Sequence, residues 1–263
     1  MPDYSAPMGA PVWLDLTTSD ADRAAGFYAQ VFGWTASDPD PALGGYRMLS
    51  ARGREVAGLV QAGPDGPADA WSVYFHVADA ANVATRAESL GATTLVPAMA
   101  VGDLGVMAVL ADPAGAAFAL WQPQKHPGFT VMDSPGAPCW FQTMTMDFAA
   151  STAFYTELFG WSITEGGTGG APDATGPSRY GLALLDSVQV GGFMPGQGML
   201  PDDHPSFWEG FITVDDAPAT IARAVDLGGS VVMEPEATPF GVLGAFKDPM
   251  GATISICVPP VGA

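Results

Sequence analysis

The chain has 263 residues, 48% of them hydrophobic and 14% charged, which is enough apolar material for one large or two ordinary domains and unlike a disordered chain. Its 28 Asp and Glu against 9 Lys and Arg give a formal net charge of −19, which repels phosphate backbones and anionic lipid and argues against nucleic acid or membrane as partners. Two cysteines, Cys139 and Cys257, are too few for a disulfide framework, no apolar run reaches the ~18 residues of a membrane span, and the opening residues lack a signal-peptide pattern, so a cytoplasmic monomer or homodimer is the expectation.

Along the chain, the alternating segment PVWLDLTT predicts a strand. Asp20 then sits where a helix N-cap belongs, ahead of an amphipathic run that carries Phe27 and Tyr28 and stops at Gly33. A second alternating segment follows near residue 70, then Asp79, a helical run closed by Gly91, and further strands that pass Asp112, Pro113, Gly115 and Ala116. The Pro- and Gly-rich stretch 123–137 carries little periodicity and reads as a linker.

After it the pattern starts again. Residues 11–35 realign without gaps on 138–162, nine of 25 positions being identical, including Phe27 and Tyr28 on Phe154 and Tyr155. Residues 77–93 realign on 214–230, with Asp216 and Gly228 as cap and stop, and the DPxGA signature returns at Asp248, Pro249, Gly251 and Ala252. The chain therefore reads as an α+β duplication of βαβββ modules, at about 10–62, 70–122, 137–196 and 205–259, in domains 1–122 and 138–263. A second breaker run, 164–180, falls inside the third module and reads as a surface loop or a lid over a pocket.

The combination D(x)₆FY, FGW and DPxGA, duplicated over nearly the whole chain, resembles the vicinal oxygen chelate superfamily (glyoxalase, bleomycin resistance, extradiol dioxygenase). More narrowly, it resembles its two-domain 27 kDa antigen-like, or glyoxalase-like hydroxylase, subgroup. The resemblance implies paired modules forming cup-shaped mixed sheets with helices outside. It also implies metal ligands on the first and last strands of each module. Counting from FY places such ligands at Trp13 and Trp140, and counting from DPxG places them at Ala119 and Ser255. Counting back from Val77 and Val214 gives Ser72 and Glu209, and the looser remaining strands offer Glu55, Gln61 and Gln189. Trp is no metal ligand through its indole N–H, and only Glu209 among the firmly placed positions is eligible, so no metal and no cofactor are expected.

Strand alternation assigns Trp13, Asp15, Thr17, Ser72, Tyr74, His76 and Trp121 to the first cup. Trp140, Gln142, Met144, Glu209, Phe211, Thr213, Ser255 and Cys257 fall to the second. Both are aromatic walls with a few polar groups, as small-molecule pockets are. Trp13 and Trp140 either fill a closed core or offer stacking platforms. His76 would need Asp15 to act as an acid or base, with Tyr74 beside it, and Glu209 is the alternative proton carrier. His126 and His204 read as ordinary loop residues. The leading expectation is a metal-independent binder of an apolar, aromatic metabolite serving sequestration, resistance or a biosynthetic step. The alternatives are a glyoxalase-like lyase or dioxygenase with displaced ligands, or a cofactor-free acid–base enzyme such as an isomerase, hydratase or cyclase.

Overall fold

A computed structural model describes residues 4–64, 66, 69–165 and 179–260. The first half runs β1 (Pro11–Thr18), α1 (Ala21–Phe32), β2 (Thr35–Ala36), β3 (Arg47–Ala51), β4 (Arg54–Gln61), β5 (Ala70–His76), α2 (Ala80–Ser89), β6 (Thr93–Val101), β7 (Gly105–Ala111) and β8 (Ala117–Pro123). The second half repeats it as β9 (Pro138–Thr145), α3 (Phe148–Phe159), β10 (Ser162–Glu165), β11 (Gly181–Leu185), β12 (Val188–Pro195), β13 (Phe207–Thr213), α4 (Ala217–Asp226), β14 (Ser230–Thr238), β15 (Gly241–Lys247) and β16 (Thr253–Val258). Most of the 164–180 run lies outside the described residues. No helix among the described residues is long and apolar enough to cross a membrane.

All four helices start on an aspartate. The carboxylates of Asp20, Asp79, Asp147 and Asp216 accept from the backbone N–H of Arg23, Asn82, Ala150 and Ala219, each cap contributing about 1 kcal/mol. Gly33 and Gly160 end α1 and α3 at φ of 72° and 74°, a left-handed turn that disfavours any side chain.

Each half forms one eight-stranded mixed sheet, ordered β2-β3-β4-β1-β5-β8-β7-β6 and β10-β11-β12-β9-β13-β16-β15-β14. Consecutive modules join in the middle of each sheet, where β1 runs antiparallel to β5 and β9 antiparallel to β13. The helix-bearing faces carry the apolar set expected from alternation, with Leu14, Leu16, Phe75, Phe118, Ile212, Ile254 and Ile256 all buried.

The helices lie outside the cups, each with one side in solvent, and the helix-bearing faces of the two halves meet. Phe75 packs edge-on against Trp208 and Phe118 against Tyr155. The motifs that revealed the duplication make this contact, and they make it reciprocally. Trp34 of the first FGW donates to the Gly136 carbonyl ahead of β9, and Trp161 of the second donates to the Gly9 carbonyl ahead of β1. Tyr28 donates to Asp248 of the second DPxGA and accepts from Trp71; Tyr155 accepts from Trp208 and lies against Asp112 of the first DPxGA.

Candidate functional site

The cups lie on the opposite faces of the sheets. In the first, Trp13 on β1 donates its indole N–H to both Asp15 Oδ1 and the Tyr46 hydroxyl, 2.8 Å each, and Tyr46 donates to the same carboxylate oxygen. Gly58 stands opposite Asp15 on β4, and it must be glycine here: a Cβ would lie 1.7 Å from the Tyr46 hydroxyl and 2.1 Å from Asp15 Oδ1. Burial pushes the Asp15 carboxyl up against the lowering effect of Tyr46, Tyr74 and Trp13. Burial and the Asp15 charge drive the Tyr46 and Tyr74 phenols well above their usual range.

The second cup uses the same frame. Trp140 on β9 donates to the Tyr180 hydroxyl (3.0 Å), which donates to Gln142 Oε1 (3.2 Å), and Gly192 on β12 clears the space that a Cβ would take 1.8 Å from that hydroxyl. From there the network continues. Gln142 donates to Glu209 Oε1 (2.8 Å) and Ser255 to Glu209 Oε2 (2.7 Å), so both carboxylate oxygens are held. Burial raises the Glu209 carboxyl, opposed by Ser255 and Gln142. Beside it Met144, Tyr180 and Met194 form an apolar cluster separate from the main core, with Leu182, Leu200 and Phe207 against it.

Asp15 faces Ser72 across β1 and β5, and Gln142 faces Glu209 across β9 and β13. Each cup thus holds one carboxylate at the same cross-strand pair, on opposite strands of it. The register also corrects the ligand count. Tyr74, not Ser72, stands opposite Trp13, and Phe211, not Glu209, opposite Trp140; next to them are Ala119 and Ser255. Two residues before Gly58 and Gly192, the remaining positions are Val56 and Val190. Neither set offers the carboxylate, imidazole and thiolate donors that a divalent ion requires, and no three His, Cys, Asp or Glu side chains converge among the described residues. The metal site of the fold does not fit this chain.

His76 is not joined to Asp15; its Nδ1 meets the Ala6 carbonyl at 2.8 Å. His126 departs from the loop reading. It is buried, sets its ring edge-on to Trp13 at 4.4 Å and to Trp121 at 5.8 Å, and its carbonyl accepts from the Trp121 indole. Phe129 stacks beside Trp13, and Phe129 N–H bonds to the Val12 carbonyl, so the stretch after β8 seals the first cup. Burial drives the His126 imidazole down to about 4, which leaves it neutral. Among the described residues no ring packs on Trp140 in this way, and Trp140 stays half-buried where Trp13 is 3% exposed. Met144, Phe211, Thr213 and Ser255 are buried on the second sheet, and His204 is a loop residue bonded to the Pro205 carbonyl.

Tyr46, Tyr180, Gly58 and Gly192 were missed in the sequence. The signal was present, since both pairs are separated by the same 134 positions, a further repeat offset behind the loops of unequal length that precede Tyr46 and Tyr180.

A glyoxalase-like domain model matches residues 12–121, and the model of the glyoxalase/bleomycin resistance protein/dioxygenase superfamily matches residues 140–256. The protein called "Putative glyoxylase CFP32" of Mycobacterium tuberculosis is 33% identical over 259 residues, 95% of each chain. The anthracycline biosynthesis protein DauV of Streptomyces sp. strain C5 is 35% identical over 263 residues, 94% of this chain and 92% of its own. Among solved structures, the Mn(II)-bound glyoxalase of Novosphingobium aromaticivorans superposes with a TM-score of 0.63 at 16% identity, covering 97% of this chain and 83% of that one.

Proposed function

The chain belongs to the glyoxalase/bleomycin resistance/dioxygenase superfamily, and we propose that it is a metal-independent small-molecule-binding protein that takes an apolar, aromatic metabolite into its second cup. The observation that carries this reading is the half-buried Trp140 at the mouth of a fixed polar network with an apolar methionine and aromatic wall beside it. An aromatic ring stacked on Trp140 gains ~0.5–1.5 kcal/mol beyond the area it buries, and a ligand hydroxyl can donate to the Glu209 carboxylate. The anthracycline name of a 35%-identical relative favours a fused-ring ligand. A cytoplasmic monomer or homodimer fits this role.

Tryptophan quenching with a panel of polycyclic phenols and quinones tests it. Saturable quenching that is lost in Trp140→Leu and kept in Trp13→Leu supports the reading, and silence across the panel at high micromolar ligand sinks it. Stoichiometric Zn, Ni or Fe on the purified protein, lost in Glu209→Gln, would instead establish the displaced-ligand metalloenzyme.

The raised Glu209 carboxyl supports a second reading, cofactor-free acid–base catalysis in the same cup. Turnover of a bound compound with a pH profile that disappears in Glu209→Gln separates catalysis from binding alone.

A further inference from the structure

Two aromatic side chains bridge the mouth of the second cup. β11 and β15 are the second strands from opposite edges of their sheet, with four strands between them. Yet Tyr180, just ahead of β11, and Phe240, just ahead of β15, bring their rings to 6.1 Å at a tilt of 35°. The sheet therefore curls far enough for its two sides to touch over the cup. The hydroxyl of the same Tyr180 accepts from Trp140. We propose that Phe240 is the gate of this cup: its ring swings off Tyr180 to admit a planar, fused-ring aromatic ligand and folds back over the ligand once it lies on Trp140. The inference rests on the second-cup reading and adds how that site opens and what covers its occupant.

The first support is where the ring stands. Gly241 has φ of 120°, and a Cβ there would lie 2.1 Å from the Val258 carbonyl, so the β14–β15 tip is laid close against the end of β16. That places Phe240 on the rim, 50% exposed, beside a buried tyrosine. A single exposed apolar side chain needs no explanation, but a ring that bridges a rim has apolar surface to bury against whatever enters beneath it.

The second support is how loosely the tip is held, and the duplication supplies the control. In the first half the tip between Val101 and Gly105 is tied to the chain after β8. Gln124 and His126 both donate backbone N–H to the Leu104 carbonyl at 3.0 Å, Lys125 N–H reaches the Asp103 carbonyl at 3.3 Å, and the Lys125 ammonium pairs with the Asp103 carboxylate. In the second half the tip consists of Pro239 and Phe240, between Thr238 and Gly241. Among the described residues its carbonyl at Phe240 receives one weak bond from outside, from the Cys257 thiol at 3.8 Å. The Thr238 hydroxyl bonds only within the tip, to the Gly241 carbonyl and the Phe240 N–H. The closed cup thus has a fastened tip and the half-open cup a loose one.

The first cup also displays the covered state. There His126 stands edge-on to Trp13 at 4.4 Å and Phe129 stacks beside it at 6.3 Å. Over Trp140 the ligand takes the place of those rings, and Phe240 takes the place of the chain that carries them.

Stopped-flow tryptophan quenching of the intact chain by alizarin, a hydroxyanthraquinone, tests the gate. Phe240→Ala should speed dissociation about tenfold and leave association equal or faster, because the ring acts on a ligand already seated. Its thermal unfolding midpoint should match the wild type, since the position is half in water. Leu104→Ala, at the matching tip of the first half, should leave both rates unchanged. An unchanged dissociation rate in Phe240→Ala, with quenching still lost in Trp140→Leu, overturns the gate and leaves the second-cup reading standing. Slower association with unchanged dissociation also overturns it, because Phe240 would then be a landing surface. Absence of saturable quenching in the wild type overturns the gate and the second-cup reading together.

Discussion

The two cups are copies of one scaffold put to different ends. Both place a tryptophan on the first strand, a tyrosine hydroxyl beneath its indole, a glycine that makes room for that hydroxyl, and one carboxylate on the central cross-strand pair. In the first cup the carboxylate is Asp15, beside Trp13 and ringed by phenols, and the chain after β8 lays His126 and Phe129 over it. In the second it is Glu209, held by an amide and a hydroxyl, with Trp140 left half-open beside methionines. A shared polar frame therefore does not decide whether a cup is core or site. What is laid over it does.

Substitution of the two tryptophans should break the comparison most sharply. Trp13→Ala should cost about 3–5 kcal/mol in urea unfolding, the range for truncating a buried aromatic, whereas Trp140→Ala should cost less than half as much.

The lid on the first cup should also leave a mark on the pH dependence. The His126 imidazole is depressed to about 4 in the folded chain against 6.5 when unfolded, so the unfolded chain binds the extra proton between those values. Its contribution is complete above pH 6.5 and is lost as pH falls toward 4, amounting to up to about 3 kcal/mol. Denaturation midpoints of the wild type should fall through that window relative to His126→Phe. Parallel curves would mean that the ring is not sealed in.

A smaller effect should separate the two glycines. Gly58→Ala displaces both Tyr46 and Asp15 and should cost about 1–3 kcal/mol, while the nearest contacts of a Gly192→Ala methyl are all with Tyr180, with no carboxylate among them, and it should cost less. The unfolding free energy of each variant reads this directly, and equal losses would deny the asymmetry. Smallest is Ser255→Ala, which removes a donor from Glu209 and should move its titration further upward, visible in the pH dependence of its carboxyl carbon resonance.

The sequence made the architecture readable because the motifs that fix it are rigidly spaced. FY, FGW and DPxGA repeat at constant offsets since each side chain must reach one particular point of the other half, and the four Asp caps follow from backbone chemistry alone. The cups were less readable. Tyr46 and Tyr180 follow loops of unequal length, so a gapless comparison passes over them. The partners of Trp13 and Trp140 were misplaced by two residues, in ladders that contain β-bulges. Nothing in the pattern of 123–137 marks His126 as the ring that would close a cup.

The reciprocal clasp carries a consequence for ancestry. A contact in which one half's tryptophan reaches the other's glycine, and the reverse, is the isologous pattern of a two-fold homodimer, written here within a single chain. In such a dimer every change in one cup is imposed on both. Joining the copies through the stretch between β8 and β9 lifts that symmetry, so the clasp can stay matched while one cup closes and the other diverges. Cut in that stretch, the two fragments should find each other again as a non-covalent pair.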